Sequence, residues 1–279
     1  PCGTLFPYTT LFRSVMADRW PQPRMYLSIR GGTTDVPHGH RDLLSFHCVV
    51  GDELMLANAT NREYLDTTFS PRRNDIWEIG PGAKNTLLIN GVGIDSGASV
   101  ETSAVDIDGV PAIRMSGGEA FGHMRDGPVA AFAGRLWLLL SHTAAIVIDR
   151  VEVPAYGRVE SRLHSPAAVE IGEERATITG DRQRAFLRFA CDQPAVLLDA
   201  VDPLTTPAAE RMTMIRWCTG KLHHAVTSAT LISSRDDAAV EIAGGDHGER
   251  QVRVEAGGDR WTITVDATLE RIEVNPDLR

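Results

Sequence analysis

The stretch Gly31-Gly32-Thr33-Thr34-Asp35-Val36-Pro37-His38-Gly39-His40-Arg41-Asp42 carries the densest set of chemically capable side chains. An imidazole changes charge near neutral pH, so it can move a proton, neutralise an anion or ligate a metal. On a strand, His38 and His40 would share one face about 7 Å apart. That span suits one metal, or one ligand beside one acid/base group. Two solvated surface histidines would show the same spacing.

Other stretches narrow the chemistry. Gly32-x5-His38-x-His40 fits the opening of a cupin metal motif, but that motif needs a glutamate four or five residues later. Leu44 and Ser45 stand there, which argues against it. Arg62, Tyr64, Arg72 and Arg73 follow in a polar segment that also holds Glu63 and Asp75. Guanidinium forks match carboxylates two bonds at a time, so this segment is a candidate for binding an acidic ligand. In Ile79-Gly80-Pro81-Gly82-Ala83-Lys84-Asn85-Thr86-Leu87-Leu88-Ile89-Asn90-Gly91-Val92-Gly93, the glycines do not open a helix, so no nucleotide loop is present. His164, inside Arg-Leu-His-Ser, reads as a buried, hydrogen-bonded histidine. His123, His142, His223, His224 and His247 receive no role. Trp20, Trp77, Trp137, Trp217 and Trp261 read as core or sheet-face residues.

The elements that must position these groups are strands. In Leu44-Ser45-Phe46-His47-Cys48-Val49-Val50, the residues Leu44, Phe46, Cys48 and Val50 share a face, and Gly51-Asp52 turns the chain into Glu53-Leu54-Met55-Leu56. Asn90-Gly91 and Asp108-Gly109 are further tight-turn signals. Val252 and Val254 alternate with charged residues, and Trp261, Ile263 and Val265 alternate with threonines. No helical stripe exceeds two or three turns. The expected fold is all-β, a large antiparallel two-sheet β-sandwich with few or no helices. The segment from Pro203 to Pro207 is the clearest internal loop.

Composition removes several classes. The 279 residues are 43% hydrophobic and 23% charged, enough apolar material for a real core. A net charge of −9 and a pI near 5.5 argue against a nonspecific hold on nucleic acid or anionic lipid. The apolar run 129–148 contains Arg135 and His142, and placing Arg135 in lipid would cost at least ~2.5 kcal/mol. Two adjacent strands with a polar break explain the run better than a membrane span. Cys2, Cys48, Cys191 and Cys218 are scattered without metal-site spacing and read as reduced, mostly buried thiols. Among the 28 basic residues only Lys84 and Lys221 are lysines, a bias that suggests a GC-rich bacterial genome.

Taken together, these stretches resemble the C-terminal domain of heparinase II/III-like polysaccharide lyases. The resemblance rests on Tyr26-Leu27-Ser28-Ile29-Arg30-Gly31-Gly32, on His38-Gly39-His40-Arg41-Asp42-Leu43-Leu44-Ser45-Phe46, on Tyr64, and on Asn85-Thr86-Leu87-Leu88-Ile89-Asn90-Gly91. Ile148-Asp149-Arg150-Val151-Glu152 and Glu160-Ser161-Arg162-Leu163-His164 extend it. It implies an antiparallel β-sandwich paired with an N-terminal α/α toroid, a cleft between them, an acidic polysaccharide as partner, and cleavage of uronic-acid polymers by β-elimination. It also implies a periplasmic or secreted location. His38 falls on the sandwich's catalytic histidine, while a Tyr and an Asn or His would come from the toroid.

The resemblance further implies a zinc ion held by His40 and by residues that here are Asn58 and Lys84. A neutral amide is a poor zinc ligand and a protonated ammonium cannot ligate at all. The expectation is therefore a degenerate metal site and no bound cofactor. We further expect that Lys84 sets its positive charge where the metal would stand, holding His40, Asn58 or Asp42. Residues 4–14 read TLFPYTTLFRS, the in-frame translation of a sequencing-adapter oligonucleotide. The expected division is thus an artefactual segment over 1–14 and a sandwich domain over 15–279 whose toroid is missing. The alternative is a glycan-binding or structural sandwich without catalysis.

Overall fold

The computed structural model describes residues 4–8 by their backbone and 13–60, 62–124, 127–206, 210–245 and 248–277 in full. Cys2, part of the 4–14 segment, Pro207 and His247 lie outside the described residues. The chain opens with β1 (Thr4–Tyr8), β2 (Arg13–Ala17), β3 (Met25–Arg30), β4 (Gly32–Thr33), β5 (Ser45–Val50) and β6 (Glu53–Leu56). After three short 3-10 turns come β7 (Leu87–Ile89), β8 (Ser99–Ile107), β9 (Val110–Ser116), β10 (His123–Met124) and β11 (Gly127–Pro128). The centre holds β12 (Phe132–Leu139), β13 (Ala144–Gly157), β14 (Val159–Ser165), β15 (Ala168–Ile171), β16 (Arg175–Thr179), β17 (Arg184–Cys191) and β18 (Ala195–Val201). The chain closes with β19 (Thr213–Thr219), β20 (His223–Ser233), β21 (Ala239–Gly244), β22 (Arg250–Ala256), β23 (Asp259–Val265) and β24 (Ile272–Pro276).

Turn chemistry sets the hairpins. Asn90 and Gly91 have φ of 54° and 78°, and Asp108 and Gly109 have 52° and 86°. Such paired positive φ values match the twist of the flanking strands. Gly51, at φ 62°, does the same between β5 and β6.

A nine-stranded antiparallel sheet, ordered β15-β16-β17-β20-β13-β12-β9-β8-β4, forms the centre. Along β12, Ala133, Trp137 and Leu139 enter one core, while Leu136 and Leu138 enter another. β13 splits in the same way, with Ala145, Val147 and Val151 on one side and Ala144, Ile146 and Ile148 on the other. The first core lies under the sheet β1-β2-β3-β5-β6 and the sheet β18-β19-β14-β7. The second lies under β21-β22-β23-β24. The fold is an all-β antiparallel sandwich, and its last four strands add an outer layer.

This two-sided burial explains the apolar run 129–148. A strand covered on both faces has no polar face to alternate with. The run is β12 and β13 with a break at Ser141, His142 and Thr143, as the sequence indicates. Among the described residues no helix is long and apolar enough to cross a membrane. Trp137, Trp217 and Trp261 are buried and Trp77 is half-buried. Trp20 departs from the core reading: it is exposed and meets the edge of Tyr26.

Candidate functional site

The loop between β4 and β5 carries both histidines of the His-x-His pair. It does not form a strand, so the two imidazoles do not share a strand face. Two backbone hydrogen bonds, Val36 N to Thr34 O (2.9 Å) and Gly39 N to Val36 O (2.9 Å), curl it into tight turns. His38 sits at φ 60°, a left-handed conformation uncommon outside glycine. Gly39 is required by crowding, because a Cβ there would stand 2.5 Å from Thr34 O.

The loop is pinned at several points. Thr34 N donates to Ala98 O (2.8 Å), Arg41 N to Ile79 O (3.0 Å) and Leu44 N to Arg30 O (3.0 Å). Asp42 lies 3.3 Å from the Arg30 guanidinium. Arg73 spans two segments, donating from Nη2 to Gly39 O and from Nη1 to Thr68 O, each at 3.1 Å.

His38, His40, Arg62, Glu63, Tyr64 and Arg73 line one cleft of about 250 Å³. The structure thus brings together five of the residues singled out from sequence. Arg72 is not among them, being largely exposed and paired with Asp75 (3.0 Å). Arg62 reaches Glu210 at 2.7 Å across the rim. Tyr64 is 74% exposed and therefore free to meet a ligand.

Two contributors were not read from the sequence. Phe69, an aromatic in a polar segment, stands between the rings of His38 (5.4 Å, edge-on) and Tyr64 (5.1 Å). Glu78 is fully buried and accepts hydrogen bonds from Thr205 and Thr206. Burial alone would raise its carboxyl, but those hydrogen bonds outweigh burial and hold it below the ordinary carboxylate range. It fastens the loop after β18 beneath the site.

Behind the cleft, Lys84 is 1% exposed. Its Nζ lies 2.6 Å from Glu78 O, 2.8 Å from Ala59 O and 3.1 Å from His40 Nδ1. Burial pushes the Lys84 ammonium down to about 8, opposed by Asp42, Glu78 and Asp202. Burial, then Lys84, then Arg73 push His40 down to about 3, so its imidazole is neutral at pH 7. Asn58 is held elsewhere: Oδ1 accepts from Asn85 N (2.8 Å) and Nδ2 donates to Ser45 Oγ (2.9 Å). Of the three groups offered to Lys84 by the sequence reading, the bond is made to His40.

One layer deeper, Asn85 donates to Phe46 O (2.7 Å) and accepts from His164 N (2.7 Å). Its Oδ1 also lies 3.2 Å from His164 Nδ1, and His164 Nε2 lies 3.2 Å from Asp202 Oδ1. His164 is buried and hydrogen-bonded as expected. Among the described residues, no three His, Cys, Asp or Glu side chains are grouped to hold a metal ion.

The fold is an antiparallel β-sandwich, with imidazole, guanidinium and phenol groups gathered at one rim. A profile of the family described as heparinase II/III-like, C-terminal, matches residues 15–255, and the chain belongs to that family. Among solved structures, a heparinase III superposes with a TM-score of 0.74 at 12% identity, covering 95% of this chain and 43% of that one. The heparan sulfate lyase HepC from Pedobacter heparinus superposes with a TM-score of 0.73 at 9% identity, covering 97% and 44%. The chain thus spans less than half the length of these two solved chains. No curated protein sequence matches it.

Proposed function

We propose that this chain is the sandwich part of a polysaccharide lyase that cleaves uronic-acid-containing polymers by β-elimination. The observation that carries the reading is the convergence of His38, Arg62, Tyr64 and Arg73 on one cleft in a chain of this family. The reaction must neutralise the C5 carboxylate, remove the C5 proton and protonate the departing O4. Arg62 and Arg73 carry the fixed positive charge suited to the first task. His38, exposed at the cleft and steadied by Phe69, is the sandwich-side group suited to neutralisation or proton transfer. Tyr64 and Phe69 offer ring faces and edges to a sugar. In this reading a toroid supplies the remaining proton-transfer groups, so the longer protein is the active unit.

The test is His38→Ala in that longer protein, assayed on heparan-type and alginate-type polymers for unsaturated uronide by ultraviolet absorbance. Loss of product with retained folding supports the reading. Undiminished product would remove His38 from the mechanism. A wild-type protein that binds acidic oligosaccharide but forms no product would establish the second reading, a non-catalytic glycan-binding relative. That reading is favoured by Asn58 and Lys84 at positions where the family resemblance implies metal ligands.

A further inference from the structure

The zinc ion implied by the resemblance does not fit the residues present. Lys84 Nζ occupies the centre of the group, and its three neighbours at 2.6, 2.8 and 3.1 Å satisfy the three N–H bonds of an ammonium. Two of these neighbours are backbone carbonyls, which only accept. His40 Nδ1 is turned toward the ammonium, so its lone pair is already engaged. Asn58 is a neutral amide, a poor zinc ligand, and each of its amide atoms is already held by a hydrogen bond, to Asn85 N and to Ser45 Oγ.

We propose that Lys84 is an internal cation that replaces a metal ion, fixing His40 with Nδ1 as acceptor and Nε2 protonated. Lys84 is thereby a positioning residue for the loop bearing His38. The three acceptors belong to three segments: the His38-Gly39-His40 loop, the residues after β6, and the 3-10 turn Trp77–Ile79. A structural metal at the implied ligand positions would tie the first two of these segments to residue 84 by ligation. A lysine does so through hydrogen bonds and needs no metal supply. The carboxylates of Asp42, Glu78 and Asp202 act on the ammonium from surrounding elements, balancing a charge that would otherwise be costly to bury. The inference concerns how the site is held and stands apart from whether the longer protein is a lyase.

The chain, purified without added metal, is tested by elemental analysis and by thermal unfolding with zinc and with EDTA. Substoichiometric zinc and a midpoint unmoved by either reagent are expected. Nitrogen NMR of the His40 ring should report the Nε2–H tautomer, a signature that generic packing would not fix. In Lys84→Met that preference should relax. The double variant Asn58→Asp, Lys84→His should bind zinc, with saturating zinc raising its midpoint by on the order of 5 °C. Stoichiometric zinc in the wild-type chain, an Nδ1–H tautomer, or a double variant indifferent to zinc would each overturn the proposal. Because the wild-type measurements need no variant, misfolding of Lys84→Met leaves it falsifiable.

Discussion

Arg135 and Asp149 face each other across β12 and β13, both buried, joined by Nε to Oδ1 at 2.6 Å and Nη2 to Oδ2 at 3.0 Å. The same guanidinium donates from Nη1 to Leu44 O and Asn85 O, each at 2.8 Å. It therefore holds the exit of the histidine loop and the residue after Lys84 from behind. Removing either partner strands a charge in the core, so Arg135→Ala or Asp149→Ala should each cost about 3–5 kcal/mol. Arg135 Nη2 also donates to Ser161 Oγ at 3.0 Å, and Arg135→Lys should not rescue, since an ammonium cannot serve five acceptors set out for a guanidinium fork. Urea unfolding checks this, and a loss below about 1 kcal/mol would mean that the pair carries little.

Gly39→Ala should shift the histidine loop, because the new Cβ meets the Thr34 carbonyl at 2.5 Å and the Val36 carbonyl at 3.0 Å. Backbone cannot yield as a side-chain tip can. We expect a stability loss of about 1–3 kcal/mol together with weakened binding of acidic oligosaccharide. Calorimetric titration and denaturant unfolding measure the two effects. Unchanged binding would show that the loop's shape does not matter to the cleft.

Two neighbouring arginines should behave differently. Arg73→Leu removes charge-assisted hydrogen bonds to Gly39 O and Thr68 O and should cost about 1.5–3 kcal/mol. Arg72→Leu removes a solvated pair with Asp75 and should change stability by less than about 0.5 kcal/mol. Equal effects would contradict the assigned clamp.

Glu160 gives the acid limb of stability. Burial acts to raise its carboxyl, but hydrogen bonds from Arg216 and Arg162 win and hold it down to about 2. Its folded pKa lies below the ordinary value of 4.5. The stabilisation is therefore present above pH 4.5 and disappears as pH falls toward 2. After discounting for solvent screening it amounts to about 1–2 kcal/mol. Glu160→Gln should flatten this part of the stability–pH curve, and an unchanged slope would reassign it to other carboxylates.

Much of this was written in alternation and turn chemistry. Leu44, Phe46, Cys48 and Val50 are all buried, as their spacing indicates, and Asn90-Gly91 and Asp108-Gly109 are the turns they appear to be. The apolar run 129–148 was harder, because two-sided burial and membrane insertion leave similar sequences until Arg135 is weighed. The His38-x-His40 spacing fits a strand, but its loop is set by the positive φ of His38 and the packing of Gly39. Neither leaves a periodic signal. Glu78 escaped notice because its partners lie 127 and 128 residues away. Phe69 acquires meaning only when His38 and Tyr64 come to either side of it. Such contacts are products of the fold.

The first two strands show what pairing alone says. The backbone of Thr4–Tyr8 runs antiparallel to Arg13–Ala17, in register from Thr4 opposite Ala17 to Tyr8 opposite Arg13. Threonine, phenylalanine and tyrosine suit a strand whatever their origin, so this pairing leaves the adapter reading where the sequence put it.

The two-sided cover of β12 and β13 also divides the molecule in time. Their amides can meet deuterium only when both cores part, so they should exchange at the rate of global opening. The histidine loop rests on one face of that centre and should exchange through smaller, faster fluctuations. The rim can then breathe while the strands that register Arg135 against Asp149 stay closed.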